Sequence, residues 1–161
     1  MAGAVEPWRP AVAAPRWVRL RPPALAFGLL AVALAAQALL GFGRLGSAPV
    51  AGGAIVTAGL SWMLWAAWHF RRVATTILPA GLPTVLVEEG PYRFGRNPMY
   101  LGMAVSMIGI AVAFGAPLVV TASWAFARVL QRFHIPFEEA QLKKTFGGWY
   151  SDYAARVRRW L

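Results

Sequence analysis

The chain has 161 residues, of which 58% are hydrophobic and only 14% are charged, and its mean hydropathy is +0.52. This composition excludes an ordinary soluble domain, because a small domain buries only about two thirds of its unfolded surface. The absence of cysteine excludes a disulfide scaffold, a thiolate zinc site and a cysteine nucleophile. The net charge of +10 comes from basic residues set between long apolar runs, which favours anionic lipid over nucleic acid as the partner. We therefore expect an integral membrane protein.

Four apolar runs predict an all-α membrane bundle of about four transmembrane helices. The first run, residues 22–40, is uncharged and approaches the roughly 20 residues needed to cross a bilayer. A cleaved signal peptide is the competing interpretation, but this apolar core exceeds the usual ~7 to 15 residues. The second run covers 48–70 and carries tryptophans typical of a membrane interface. Residues 98–114 and 118–133 are short for independent spans and predict a tight helical hairpin.

The basic residues are distributed unevenly around these helices. Of the 16 Lys and Arg, only Arg44 falls on the opposite side of the membrane from the others in a four-helix topology. Because cytoplasmic flanks carry the excess of Lys and Arg, we expect a multi-pass protein with both termini in the cytoplasm. The expected organisation is a Pro/Arg-rich cytoplasmic leader over 1–21 and one membrane domain over 22–161, with a loop at 71–97 and a cytoplasmic segment at 134–161.

Residues 41–46 match GxGxxG, the pattern of a dinucleotide-binding turn. That pattern requires a preceding strand, a following helix and an acidic residue about twenty positions later. None of these is present, so we interpret the glycines as a turn between two membrane helices.

The stretch LVEEGPYRFGRNPMY at residues 86–100 predicts a structured loop that leads into the third helix. Gly90 and Pro91 indicate a turn, and Pro98 at a helix start leaves Asn97 as the natural N-cap. An interfacial connector without catalysis explains the same composition, with arginines contacting lipid phosphates and tyrosines lying in the aromatic belt. The residues open to both interpretations are Arg93, Arg96, Tyr92 and Tyr100.

A second polar cluster follows the fourth helix. If this part is helical, His134 and Glu138 lie four residues apart on one face, which Leu142 continues. Glu139 has a partner at the favourable i to i+4 spacing in Lys143, so we expect Glu139 on the solvated face and Glu138 at a site. His134 and Glu138 are only two ligands and no further His or Cys cluster completes a metal site, so no metal is expected.

These motifs together resemble the superfamily of isoprenylcysteine carboxyl methyltransferases and phospholipid methyltransferases, which are integral-membrane enzymes. The resemblance rests on GPYR from residue 90, RNPMYLG from 96, EExxL from 138, FGxxYxxY from 146 and VRRWL from 157. It implies a membrane helix bundle, without a Rossmann domain, that binds S-adenosylmethionine at the cytoplasmic face.

By motif position, the resemblance implies cofactor contacts at nine residues. These are Thr84, Val85, Leu86, Val87, Tyr92, Asn97, Pro98, Met99 and Tyr100. The acidic position of the family falls on Glu138. We expect Glu138 to act in catalysis by orienting or deprotonating the substrate, or else to bind the polar end of the cofactor, and we expect Arg96 to pair with an anionic group there. His134, assigned to substrate contact, stands where the eukaryotic carboxyl methyltransferases have Arg, and Asn97 stands where they have His. Replacing a fixed cation by His argues against a prenylcysteine carboxylate as the acceptor.

The resulting hypothesis is an integral-membrane S-adenosylmethionine-dependent methyltransferase that acts on a lipophilic small molecule or a lipid. Methyl transfer by in-line displacement needs a positioned donor, an aligned acceptor and exclusion of water, and it needs no metal. The alternative is a non-catalytic membrane protein of the same fold, such as a transporter or an assembly subunit. The acceptors left open are a prenyl thioether acid, a phospholipid amine, a small thiol and another lipophile.

Overall fold

The computed structural model describes residues 21–40, 45–74 and 85–161. In these three ranges, six α-helices follow one another: α1 (Pro22–Leu39), α2 (Pro49–Ala74), α3 (Pro98–Phe114), α4 (Pro117–Val129), α5 (Ile135–Phe146) and α6 (Gly148–Arg156). A 3-10 turn at Gly90–Arg93 precedes α3, and a π-helical turn at Leu130–His134 joins α4 to α5. No strand occurs in the described ranges, which confirms the predicted all-α class.

Several sequence expectations fall wholly or partly beyond these ranges, among them the loop over 71–97, whose residues 75–84 lie outside. The predicted leader lies outside the described residues except for Arg21, and so do four residues of the GxGxxG pattern, 41–44. Thr84, expected to contact the cofactor, also lies outside them.

Within the described parts of the chain, two helices are long and apolar enough to cross a membrane, Pro22–Leu39 and Pro49–Val73. Large apolar side chains point outward from both, such as Phe27, which is 73% exposed in the isolated chain. Exposed apolar surface of this extent matches a lipid environment rather than water. α3 is a shorter apolar helix of 17 residues and α4 has 13, so the count of four spans stays a prediction.

α2 extends beyond its predicted end at residue 70 and includes Arg71 and Arg72. Arg is among the better helix formers, and a cation in the last turn interacts favourably with the helix dipole. The loop expected over 71–97 therefore starts later than the charge pattern predicts.

Glycines allow α2 and α3 to pack closely. A Cβ added at Gly59 would lie 2.8 Å from the carbonyl oxygen of Gly102, and one added at Gly102 would lie 2.6 Å from the carbonyl oxygen of Gly59. Small residues at such crossings let two helix backbones approach within van der Waals distance. This packing fixes the position of α3, whose first turn reaches the candidate site.

α1 and α4 pack on the other side of α3 around an apolar core. Phe126, Leu130 and Ile135 are fully buried there. The single strongly polar residue of α1, Gln37, is buried too, and its Oε1 accepts a hydrogen bond from the backbone N–H of Leu118 at 3.3 Å. That bond satisfies one of the N–H groups that the first turn of α4 leaves without a helical partner.

α4 does not end at residue 133 as predicted but continues through the π-helical turn into α5. The N–H of Ile135 donates to the carbonyl oxygen of Leu130, five residues earlier. Pro136 has no N–H and its ring disfavours a regular preceding turn, so a wider turn accommodates it. The cytoplasmic segment expected from residue 134 is therefore continuous with the fourth helix.

Candidate functional site

A cavity of about 300 Å³ lies between the loop before α3, the start of α3, α5 and α6. It is lined by Phe70, Val85, Leu86, Val87, Tyr92, Arg96, Asn97, Pro98, Met99, Tyr100, Glu138, Glu139, Leu142, Tyr150 and Tyr153. Among the described residues, this lining includes every residue predicted for the site except His134. Two segments about forty residues apart in the sequence thus meet at one cavity.

Glu138 is held at this cavity by Tyr100. The Oη of Tyr100, in the first turn of α3, donates to Oε1 of Glu138 on α5 at 2.5 Å. Burial raises the pKa of Glu138, while the hydrogen bond from Tyr100 and the nearby His134 act in the opposite direction. The net pKa lies above the ordinary value, so this carboxyl group exchanges its proton at higher pH than an exposed glutamate.

His134 is not among the residues that line the cavity, and its expected contact with the substrate stays a prediction. It is 3% exposed and sits at the end of the π-helical turn, next to Leu130 and Ile135 of the core. Sharing a helix face with Glu138 does not bring the two residues to the same depth, because one turn separates them by roughly 5 to 6 Å along the axis. His134 influences the site through its effect on the pKa of Glu138.

Glu139 is an internal ion-pair residue, and its predicted pairing with Lys143 on a solvated face is wrong. Its side chain is 18% exposed, and its oxygens accept hydrogen bonds from Nη2 of Arg96 at 2.6 Å and from Nη2 of Arg159 at 2.7 Å. Burial by itself raises the pKa of Glu139, but the bonds from Arg159 and Arg96 outweigh it and hold the pKa below its ordinary value. Two guanidinium groups in a half-buried place bind a carboxylate better than one exposed lysine.

Arg96 is occupied by protein groups. Besides Glu139, its Nη1 donates to the carbonyl oxygens of Ala154 at 2.7 Å and Val157 at 2.8 Å. The expected anionic partner of Arg96 is therefore Glu139 rather than a ligand. This arrangement ties the loop before α3 to α5, to the end of α6 and to the residues that follow it.

The extended end of the chain, residues 157–161, pairs with the same loop. The backbone N–H of Arg96 donates to the carbonyl oxygen of Arg158 at 2.9 Å, and the backbone N–H of Asn97 donates to the carbonyl oxygen of Arg159 at 3.1 Å. The side-chain amide of Asn97 also donates to the carbonyl oxygen of Arg159, at 2.9 Å, and makes no capping bond. Asn97 is the N-cap residue of α3, as predicted, but its side chain does not cap the helix because it binds a carbonyl oxygen from a distant segment.

Sequence reasoning did not assign five cavity residues to the site: Phe70, Glu139, Leu142, Tyr150 and Tyr153. The FGxxYxxY spacing contains both tyrosines, and the periodicity of α6 was the available indication that they share a face. Phe70 comes from the end of α2, and nothing in its local sequence marks it.

The two tyrosines of α6 play different structural parts. The Oη of Tyr153 donates to the carbonyl oxygen of Tyr92 at 2.7 Å, which attaches α6 to the loop. The Oη atoms of Tyr92 and Tyr150 are buried and make no hydrogen bond with any described residue. Burial and the charge of Glu138 raise the pKa of Tyr92 to about 12, so its phenol stays protonated and is able to donate.

The cavity thus combines apolar and aromatic walls with two carboxylates, those of Glu138 and of the ion-paired Glu139, and with two phenol groups that make no hydrogen bond with the described residues. A buried hydroxyl without a partner costs free energy, and a bound ligand with hydrogen-bonding groups removes that cost. Within residues 21–40, 45–74 and 85–161, no group of three or more His, Asp and Glu is placed to hold a metal ion. The arrangement suits an organic ligand that carries a flat ring and a positive charge.

The sequence of this chain is similar to those of known methyltransferases. The family model of phospholipid methyltransferases matches residues 48–148. Protein-S-isoprenylcysteine O-methyltransferase B of Arabidopsis thaliana is 41% identical over 75 residues, which are 45% of this chain and 36% of that protein. The probable protein-S-isoprenylcysteine O-methyltransferase of Oryza sativa subsp. indica is 38% identical over 79 residues, 47% of this chain and 40% of that protein.

The chain therefore spans less than half the length of the curated relatives it matches. No solved structure matches it. The family model covers more than half of the chain, including α2, α3, α4 and α5. The resemblance seen in the motifs is confirmed: the chain belongs to the phospholipid methyltransferase family.

Proposed function

We propose that this protein is an integral-membrane methyltransferase that uses S-adenosylmethionine and methylates a lipophilic acceptor. The observation that carries the proposal is the convergence of the predicted residues on one cavity with Glu138 at its wall. A non-catalytic membrane protein of the same fold is not favoured, because the family and the curated relatives are named for methyl transfer.

The cavity residues fit this cofactor chemically. S-adenosylmethionine has an adenine ring, ribose hydroxyls, a sulfonium and an ammonium group. Aromatic walls suit the ring, the carboxylate of Glu138 suits a positive group, and the unpartnered hydroxyls of Tyr92 and Tyr150 suit the polar atoms. The volume of about 300 Å³ is at the lower end for pockets that hold organic ligands.

When bound, the cofactor supplies a methyl group whose bond to sulfur breaks as the acceptor's lone pair bonds the carbon, leaving a neutral thioether. The chain's own residues have three tasks. Tyr100 fixes the carboxylate of Glu138, which orients the acceptor and takes its proton where the acceptor carries one. Leu86, Met99 and Leu142 line the cavity with apolar atoms and exclude water. Arg96 acts by positioning the loop.

The apolar exterior supports a membrane-associated acceptor. A lipophile dissolved in the bilayer reaches a site built on membrane helices without crossing water. We further propose a single membrane domain over 22–161 with a leader over 1–21, several spans, and both termini and the cavity on the cytoplasmic side, as the Lys and Arg distribution indicates.

Calorimetry of the purified protein in detergent tests the cofactor. We expect S-adenosylmethionine and S-adenosylhomocysteine to bind and to raise the temperature of unfolding, while ATP and NAD do neither. Tyr150→Phe should weaken binding by about tenfold, since it removes one hydrogen bond to the ligand. Trp149→Phe, at the exposed neighbouring position, is the control and should bind normally. If the folded protein binds neither S-adenosylmethionine nor S-adenosylhomocysteine, the cofactor assignment is overturned.

Labelled methyl groups identify the acceptor. Membranes with and without the protein are incubated with S-adenosylmethionine carrying a labelled methyl group and then extracted with organic solvent. Label that appears in the lipid extract only when the protein is present supports a lipophilic acceptor. Label confined to water-soluble products would contradict it even if the cofactor binds.

A further inference from the structure

A second groove, strongly basic, lies on the outside of the π-helical turn. It has a volume of about 600 Å³, and Arg128, Arg132 and Arg159 contribute to its wall together with Gln131 and Phe133. No acidic residue is among the described residues that line it. Three guanidinium groups around one open groove produce a local positive potential that attracts anions.

Arg128 and Arg132 of this groove are exposed. Neither Arg128 nor Arg132 takes part in an ion pair within the described part of the chain. The guanidinium of Arg128 lies over the ring of Trp124, 5.5 Å from its centroid, so its planar donor group is held in place on the surface. Both side chains are therefore available to an external anion.

Arg159 connects this basic groove to the candidate site. Its Nε and Nη2 donate to Glu139, which lines the cavity, and its Nη1 makes no hydrogen bond with the described residues. The neighbouring Trp160 is fixed by a hydrogen bond from its Nε1 to Oε1 of Gln131, at 2.7 Å. Arg159 is thus held at the groove with donors left for a second oxygen ligand.

The surroundings of the groove indicate a membrane source for the anion. Trp124, Phe133 and Val120 are exposed apolar side chains on the same helix and turn, with Trp124 66% exposed. Tryptophan and arginine at the end of an apolar helix are typical of the level of lipid head groups. A guanidinium binds phosphate oxygens in a bidentate manner, and this chemistry is present three times at one groove.

We propose that this basic groove binds the phosphate of an anionic membrane lipid. The phosphate lies among Arg128, Arg132 and Arg159, and the acyl chains lie along the apolar side of α4. Binding adds a negative group to the Arg96–Glu139–Arg159 network, so it stabilises the attachment of the chain's end to α5. The proposal goes beyond the methyltransferase assignment and does not depend on it.

Thermal unfolding of the full chain in detergent tests the proposal. Phosphatidylglycerol, phosphatidylcholine and inorganic phosphate are titrated separately into the protein and into two double variants. R128Q/R132Q removes two charges from the groove, and K143Q/K144Q removes two exposed charges from α5 and is the matched control.

We expect phosphatidylglycerol to raise the unfolding temperature of the unaltered protein and of K143Q/K144Q, with little effect of phosphatidylcholine. R128Q/R132Q should need about tenfold to thirtyfold more phosphatidylglycerol for the same rise. If the double variant does not fold, the single variants Arg128→Gln and Arg132→Gln replace it in the test. Each should need a smaller increase in phosphatidylglycerol concentration than the double variant.

Four outcomes would overturn the proposal. The first is an equal response to both lipids, and the second is an unchanged response of the groove variants. The third is an equal loss in K143Q/K144Q, which would show that only net charge matters. The fourth is a matching rise with inorganic phosphate, which would make the groove a site for free anions.

Discussion

The two halves of the molecule are stabilised in different ways. On α1 and α2 the exposed surface is apolar, with Leu39 84% and Val50 87% exposed in the isolated chain, and close backbone packing sets the position of α2 against α3. From residue 85 onward, ion pairs and hydrogen bonds join segments far apart in sequence, as Glu139 joins the loop before α3 to the end of the chain. In the first half, a lipid-facing apolar side chain can be exchanged for another without loss of a specific contact. In the second half, the loss of one donor or acceptor atom breaks a hydrogen bond or an ion pair.

This comparison has a chemical consequence. Of the residues described as lining the cavity, α2 contributes the apolar Phe70, whereas the second half contributes the carboxylates, the phenols and the guanidinium group. The proposed site therefore lies where burial of polar groups is compensated by pairing. Changes in the first half should act on stability, and changes in the second should separate stability from activity.

The largest effect is expected for Glu138→Gln, which keeps the shape of the side chain and removes its charge. Methyl transfer should fall about 10²- to 10³-fold, because an oriented group in a water-poor site is worth about 2.7 to 4 kcal/mol. The unfolding temperature should change little, since burial already disfavours the charged form. Glu89→Gln, at an exposed glutamate, is the control in the same transfer assay. Equal activities of the two variants would remove Glu138 from the mechanism.

A smaller effect, on stability, is expected at the contact between α2 and α3. Gly59→Ala places a Cβ 2.6 Å from Oγ of Ser106 and 2.8 Å from the backbone of Gly102, which must push the helices apart. The cost should be about 2 kcal/mol, as for overpacking of a close contact. Gly53→Ala, on the same helix with open space around it, should be neutral or stabilise by up to about 1 kcal/mol. Chemical denaturation in detergent measures the free energy of unfolding of both variants. Equal changes for Gly59→Ala and Gly53→Ala would contradict the close packing of α2 against α3.

The third prediction compares the contributions of the two α6 tyrosines to stability. Tyr153→Phe removes the buried bond to the carbonyl of Tyr92 and should destabilise the fold by about 1 kcal/mol or slightly more. Tyr150→Phe removes a hydroxyl without a protein partner and should leave stability unchanged or slightly improved. Denaturant midpoints of both variants, measured without ligand, give the comparison. A larger loss of stability for Tyr150→Phe than for Tyr153→Phe would contradict the hydrogen-bonding roles assigned to the two hydroxyls.

The smallest effect is the pH dependence due to Glu139. Its pKa in the folded protein is below the ordinary value of 4.5, so its contribution to stability is present above that value and disappears as the pH falls through the lowered pKa. The unaltered protein should therefore lose stability on acidification, and Glu139→Gln should lose less over the same range. Glu138, with its raised pKa, should give the opposite slope. Unfolding temperatures measured from about pH 7 to about pH 3 provide the test.

Much of the fold was predictable from sequence because lipid-facing helices need only length and apolar composition. The first two apolar runs lie within one residue of their helices at three of four ends, and Arg71 and Arg72 extend the fourth. The π-helical turn was not predictable from hydropathy, because it depends on how the ring of Pro136 is accommodated between α4 and α5.

The contrast at the two adjacent glutamates shows where local reasoning ends. Helix periodicity assigned Glu138 to the site and Glu139 to the solvated face, but both side chains line the cavity, and the nearest local cation, Lys143, is not the partner of Glu139. Its partners are 43 and 20 residues away. No helix-based rule identifies such partners, since they come from a loop and from the extended end of the chain.

The sequence by itself determined the helical class, the apolar exterior and the residue types that meet at the cavity, since composition and motif order require no knowledge of distant contacts. The tertiary structure alone decided that Arg96 is neutralised by Glu139, that Asn97 binds the end of the chain, that His134 lies in the core, and that a basic groove adjoins the site. The physical reason is that charge pairing and burial depend on which segments lie within a few ångströms, and this is set by the packing of the whole helix bundle.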